Sequence, residues 1–96
     1  MATTYVGFYH PAADSPVPAA LRTTGAIPPE FGKKVNGFPA SLPATCKLVG
    51  SYVVGGGPNV LIVEAESMAD LQHINRYYGG WLVFDWRPTQ SPPRDN

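Results

Sequence analysis

Two histidines, two strand carboxylates, a set of aromatic rings and one thiol are the side chains here able to do chemistry. Histidine is the natural proton carrier near neutral pH, and the chain has His10 and His73. His10 closes an aromatic run, Thr4-Tyr-Val-Gly-Phe-Tyr-His10, and shares its face with Val6 and Phe8 by the two-residue alternation of a strand. If that face lines a pocket, His10 stands at its mouth as a candidate catalytic base. The competing reading is a strand-end residue bonded to the following loop. His73 flanks a helical apolar stripe and reads as a solvated or half-buried surface residue. Glu64 and Asp85 interrupt otherwise apolar runs. A carboxylate there must be paired, protonated or solvated. One reading is an edge or interface ion pair with Arg87 or Arg76. The other is a base with a raised pKa. Tyr9 and Tyr52 are candidate orienting hydroxyls and Trp86 a candidate stacking wall for a planar ligand, although aromatics in a small core are more often packing.

Other chemistries find less support. His10, His73 and Glu64 lack the close spacing of a metal site. Cys46 is the single cysteine, so no disulfide closes within the chain. It reads as a small buried apolar residue at a strand start. Gly55-Gly56-Gly57 lacks the lysine and following helix of a phosphate loop and reads as a hairpin turn. No cofactor motif is present. Seven basic and seven acidic residues give zero formal charge, and the cations are scattered. That argues against nucleic acid as a partner and does little to keep copies apart. The N-terminus has neither a basic region nor a long apolar run, so neither a signal peptide nor a membrane span is expected, and the expected location is cytoplasmic.

The elements that must position these groups are compact. The chain has 96 residues, enough for one domain over 1–88 with a flexible tail over 89–96. Strands are predicted at Thr4–His10, Cys46–Val54, Val60–Glu66 and Leu82–Arg87. A helix is predicted from Ser67, with Ser67 and Asp70 as a capping-box-like pair. Leu71, Ile74 and Tyr78 form its buried face, and Gly79-Gly80 stop it. Residues 11–45 hold seven of the eleven prolines. They predict two short helices, one from Ser15 through Leu21 and one from Pro28-Pro29 to Asn36-Gly37, in an irregular crossover. The order β-α-β-β-α-β predicts an α+β, ferredoxin-like fold: a four-stranded antiparallel sheet with helices on one face. Both strand faces are apolar, so the uncovered face calls for a second copy, as a homodimer or higher oligomer.

Leu48-Val-Gly-Ser-Tyr52, the run from Gly55 to Glu66, Ser67-Met-Ala-Asp-Leu71 and Trp81-Leu-Val-Phe-Asp-Trp-Arg-Pro88 together resemble the dimeric α/β-barrel superfamily, closest to small uncharacterised bacterial members. The resemblance covers about half the chain. Residues 11–45 depart from it, since that family has one regular first helix there. The resemblance implies two sheets facing across a dimer and a cleft between sheet and helices for a small apolar or aromatic molecule. Among the superfamily's activities are cofactor-independent monooxygenases, isomerases and cyclases. On the residues alone, a non-catalytic assembly protein that uses its sheet face and proline-rich segment as interfaces stands beside the small-molecule reading.

Overall fold

The computed structural model describes residues 2–54 and 58–90. Among these, the chain forms four strands and three helices: β1 (Thr3–Pro11), α1 (Val17–Thr24), α2 (Pro29–Ser41), β2 (Cys46–Tyr52), β3 (Asn59–Ala65), α3 (Met68–Tyr77) and β4 (Leu82–Pro88). The class is α+β. The strands make one antiparallel sheet in the order β2-β3-β1-β4. β3 lies between β1 and β2, and β1 lies between β3 and β4. The two β-α-β units are therefore split and interlocked, an arrangement compatible with a ferredoxin-like fold. The expected hairpin turn at Gly55, Gly56 and Gly57 lies outside the described residues, as do residues 91–96 of the expected tail. Thr89 is tied down: its backbone N–H and its hydroxyl both donate to the Thr4 carbonyl, at 2.9 and 3.0 Å.

Strand alternation sorts the side chains into two sheet faces. Tyr9 pairs with Phe84 and Asn59, and Gly7 with Trp86 and Leu61. These residues, with Val63, Ala65, Cys46 and Leu48, face the helices. Val63, Leu71 and Ile74 are fully buried at their centre. Each such side chain contributes about 1.5–3 kcal/mol. Val6, Phe8, His10, Ile62, Glu64, Val83, Asp85 and Arg87 share the opposite face, which no described element covers. A bulge at Val49 shifts the β2 register between Leu48 and Gly50. The extra residue keeps Leu48 and Ser51 on the helix side and Tyr52 on the other.

The crossover departs from its prediction in detail. Pro16 sits at the α1 N-cap, and Ser15 accepts the Val17 N–H at 3.3 Å from one residue further back. Gly25 ends α1 at φ 74°, in the left-handed region that suits glycine. α2 does not stop at Asn36-Gly37; it runs to Ser41, through Pro39. A proline inside a helix costs about 3 kcal/mol. The extension carries Phe38 into the core, 3% exposed, with its ring 5.2 Å from Tyr78 and 5.6 Å from Tyr77. Burying a phenyl ring contributes about 1.5–3 kcal/mol, and each aromatic pair about 0.5–1.5 kcal/mol more, which offsets the proline.

At α3 the expected capping box is rearranged. The Ser67 side chain caps nothing. Buried Asp70 instead accepts the Glu66 N–H at 3.0 Å and the Thr45 hydroxyl at 2.7 Å, tying the helix start to the segment before β2. The expected left-handed stop falls on Gly80 alone, at φ 83°.

Candidate functional site

A cleft of about 490 Å³ opens between the crossover helices and the sheet. Its sheet wall is Tyr9, Leu48, Leu61 and Phe84. Its helix wall is Val17, Leu21, Phe31, Val35 and Phe38. The local sequence explains the gap. Prolines break the crossover into α1 and α2, so no single long helix lies flat on the sheet. α2 is pinned at the far side by a reciprocal clamp to the end of α3. Lys34 Nζ donates to the Tyr77 carbonyl at 2.9 Å and lies 4.4 Å from the Tyr77 ring centroid, while the Tyr77 hydroxyl donates to the Lys34 carbonyl at 2.6 Å. On the other side only Val17 of α1 is buried. Leu21, Ile27 and Val35 line the cleft yet remain 42–48% exposed, so they form an apolar mouth.

Among the described residues no Asp, Glu, Lys, Arg or His lines the cleft. Its polar side chains are Tyr9, Ser51, Asn59 and Tyr78. The Asn59 Oδ1 accepts the Val54 N–H at 3.1 Å. Tyr78 is 5% exposed and ringed by Phe31, Phe38, Tyr77 and Phe84 at centroid distances of 5.0–6.0 Å. Burial pushes its phenol pKa up, and the neighbouring phenols of Tyr77 and Tyr9 add to the shift, so the group keeps its proton.

The expected site residues divide between the two sheet faces. Tyr9 lines the cleft. His10, the candidate base, is exposed on the opposite face, and so is Tyr52. Glu64 is half-buried on that face, with Lys47 and Thr4 as its cross-strand neighbours. Asp85 is exposed there and ion-paired with Arg87 at 3.0 Å. The guanidinium, chiefly through its hydrogen bonds, holds the Asp85 carboxyl below its ordinary value. That is the opposite of the shift expected for a base, and it is the ion-pair alternative. Trp86 faces the helices but stands outside the cleft. Its ring stacks on Phe84 at 5.1 Å and 6°, covers Gly7, and donates from Nε1 to Asn75 Oδ1 at 2.9 Å. It is a packing wall for the core beside α3. The structure thus brings Tyr9 to the cleft and does not bring His10, Tyr52, Glu64, Asp85 or Trp86 there.

Sequence reasoning missed Tyr78 as a cleft residue, because helical spacing marks it as core; Phe31 lines the cleft too, and nothing in its local sequence marks it as more than an apolar residue. His73 is half-buried on α3, and its sealed Nε2 has no partner among the described residues. Cys46 is buried. Burial raises its thiol pKa and the nearby Asp70 charge raises it further, which suits packing rather than nucleophilic attack. Among the described residues, no three His, Cys, Asp or Glu side chains gather as a metal site, and no helix is long and apolar enough to cross a membrane.

Comparison with known proteins returns no match among family models, curated proteins or solved structures.

Proposed function

We propose that this chain is a small-molecule-binding protein that holds a largely apolar or aromatic molecule between its crossover helices and its sheet. The observation that carries the reading is the cleft itself. Its volume of about 490 Å³ falls within the roughly 300–1,000 Å³ of ligand sites, which are mostly apolar with a few polar groups. The test is equilibrium dialysis against 1,1-diphenylethylene, an uncharged aromatic hydrocarbon. One saturable site per chain is expected. Uptake that rises in proportion to concentration without saturating would overturn the reading. Turnover as a cofactor-independent isomerase, cyclase or monooxygenase has less support. Among the described residues the cleft offers phenols and no histidine or carboxylate, and a catalytic His10 would have to work on the other face.

A second reading rests on that other face. Val6, Phe8, Val60, Ile62 and Val83 make an apolar patch there, with Phe8 38% and Val83 46% exposed. We infer that a second copy covers it, sheet against sheet, as in a dimeric α/β barrel. Four strands about 4.8 Å apart and seven residues at about 3.3 Å give a face of roughly 19 by 23 Å in plan. A standard interface takes about 800 Å² from each partner. The flat face supplies roughly half of that, and the adjoining strand ends must supply the rest. Light scattering at micromolar concentration should give the mass of two chains, and Phe8→Glu should give one. A wild-type monomer would remove this reading and leave the cleft reading standing.

A further inference from the structure

Of the described polar residues that line the cleft, Tyr78 alone is buried. Tyr78 is 5% exposed and lines the cleft. Its neighbour Tyr77 spends its own hydroxyl on the Lys34 carbonyl. The Tyr78 hydroxyl has no such partner among the described residues. Nor is it sealed in, since His73 Nε2 is the one sealed and unpartnered side-chain polar atom there. For a hydroxyl neither partnered nor sealed among the described residues, on a buried residue ringed by Phe31, Phe38, Tyr77 and Phe84, the cleft that Tyr78 lines is the available opening. Buried hydroxyls are ordinarily hydrogen-bonded, and leaving one unmet costs free energy. Among the described residues the cleft walls supply no charge, so an ionised ligand would meet no counter-ion from them and lose its hydration. Lys34 is turned away to the Tyr77 carbonyl.

We propose that the Tyr78 hydroxyl is the anchor of the ligand site and donates a hydrogen bond to a neutral carbonyl oxygen on an otherwise apolar molecule. The ligand class is an uncharged aromatic or alicyclic ketone, aldehyde or ester, with its oxygen at the Tyr78 end and its apolar body along Phe31, Leu61 and Phe84. This deepens the cleft-binding reading and rests on it.

The experiment compares three probes of similar shape by equilibrium dialysis: benzophenone, 1,1-diphenylethylene and diphenylacetate. The first two differ by C=O against C=CH₂, and the third carries a carboxylate. Each is measured on the wild-type protein and on Tyr78→Phe, which removes one oxygen and keeps the ring. The ratio of the diphenylethylene Kd to the benzophenone Kd cancels differences in overall fit. It should fall about fivefold in Tyr78→Phe, the worth of one neutral hydrogen bond, and should stay unchanged in Tyr5→Phe, which removes a phenol oxygen outside the cleft. Diphenylacetate should bind at least tenfold more weakly than benzophenone. A ratio within twofold in wild type and Tyr78→Phe would overturn the anchor, and so would diphenylacetate binding as tightly as the ketone. In either case the cleft reading survives. If neither neutral probe binds the wild-type protein, the cleft reading itself fails and the anchor with it.

Discussion

Gly7→Ala tests whether Trp86 is a wall of the core or a ligand platform. Gly7 is buried in the central strand, directly opposite Trp86. A Cβ at Gly7 would overlap three ring carbons of Trp86, so the indole must leave its place. Displacing it forfeits the stack on Phe84, worth about 0.5–1.5 kcal/mol. It also loosens the bond to Asn75, which is solvent-exposed and therefore worth the low end of about 0.5–1.5 kcal/mol. Overpacking adds about 1–3 kcal/mol. Replacing glycine stiffens the unfolded chain and returns about 0.4–1 kcal/mol. The net expectation is a loss of about 3 kcal/mol. With a urea slope of about 1.5 kcal/mol/M, the unfolding midpoint should drop by about 2 M. Trp86→Leu clears the space, so the double variant should lose much less than the sum of the two single losses. Because Trp86 stands outside the cleft, diphenylethylene should bind folded Gly7→Ala with near wild-type affinity. A midpoint within 0.3 M of wild type, or strict additivity in the double variant, would refute the packing geometry.

Three further outcomes follow from other contacts. Lys34→Met removes the ammonium half of the clamp between α2 and α3, leaving the Tyr77 hydroxyl on the backbone carbonyl of residue 34, and should cost about 1 kcal/mol by urea unfolding; a neutral result would mean that the ammonium does not hold α2. For Asp85 the folded pKa lies below the unfolded one, so the pairing contributes above the unfolded value and is lost as pH falls through the folded value. An NMR titration should therefore place its midpoint below 3.8, and Arg87→Gln should raise it toward 3.8, the pairing's contribution being present at pH 7 and lost only in acid. An unmoved midpoint in Arg87→Gln would contradict the pairing. Cys46, buried and with its pKa raised, should react with a disulfide reagent at neutral pH only as fast as the chain unfolds; rapid native-state labelling would contradict its burial.

Much of the fold was legible because strand alternation is a local signal. The run from Thr4 to His10 separates Tyr5, Gly7 and Tyr9 from Val6, Phe8 and His10 without any tertiary knowledge, and the structure keeps that division. Leu71, Ile74 and Tyr78 were legible as one helical face for the same reason. What local rules missed was tertiary. Asn36-Gly37 and Pro39 are stop signals, yet Phe38 draws α2 through them by entering the aromatic cluster around Tyr77 and Tyr78. Asp70 reads as half of a capping box with Ser67, but its partners, Glu66 N–H and Thr45, come from the preceding turn and from a segment 25 residues away. The cleft was legible as a possibility and not as a place. Which strand face borders it depends on where the broken crossover lies, and it lies over Tyr9 rather than His10. Tyr78 was hidden because a buried phenol and a buried phenyl carry the same helical spacing; only its hydroxyl, without a partner among the described residues, separates them.

The most direct test of the central claim is native mass spectrometry of the protein purified from its natural source. The account predicts a two-chain assembly that retains up to one small neutral molecule per chain and releases it on unfolding. Bare single chains at the sequence mass, with no adduct under the gentlest conditions, would contradict it.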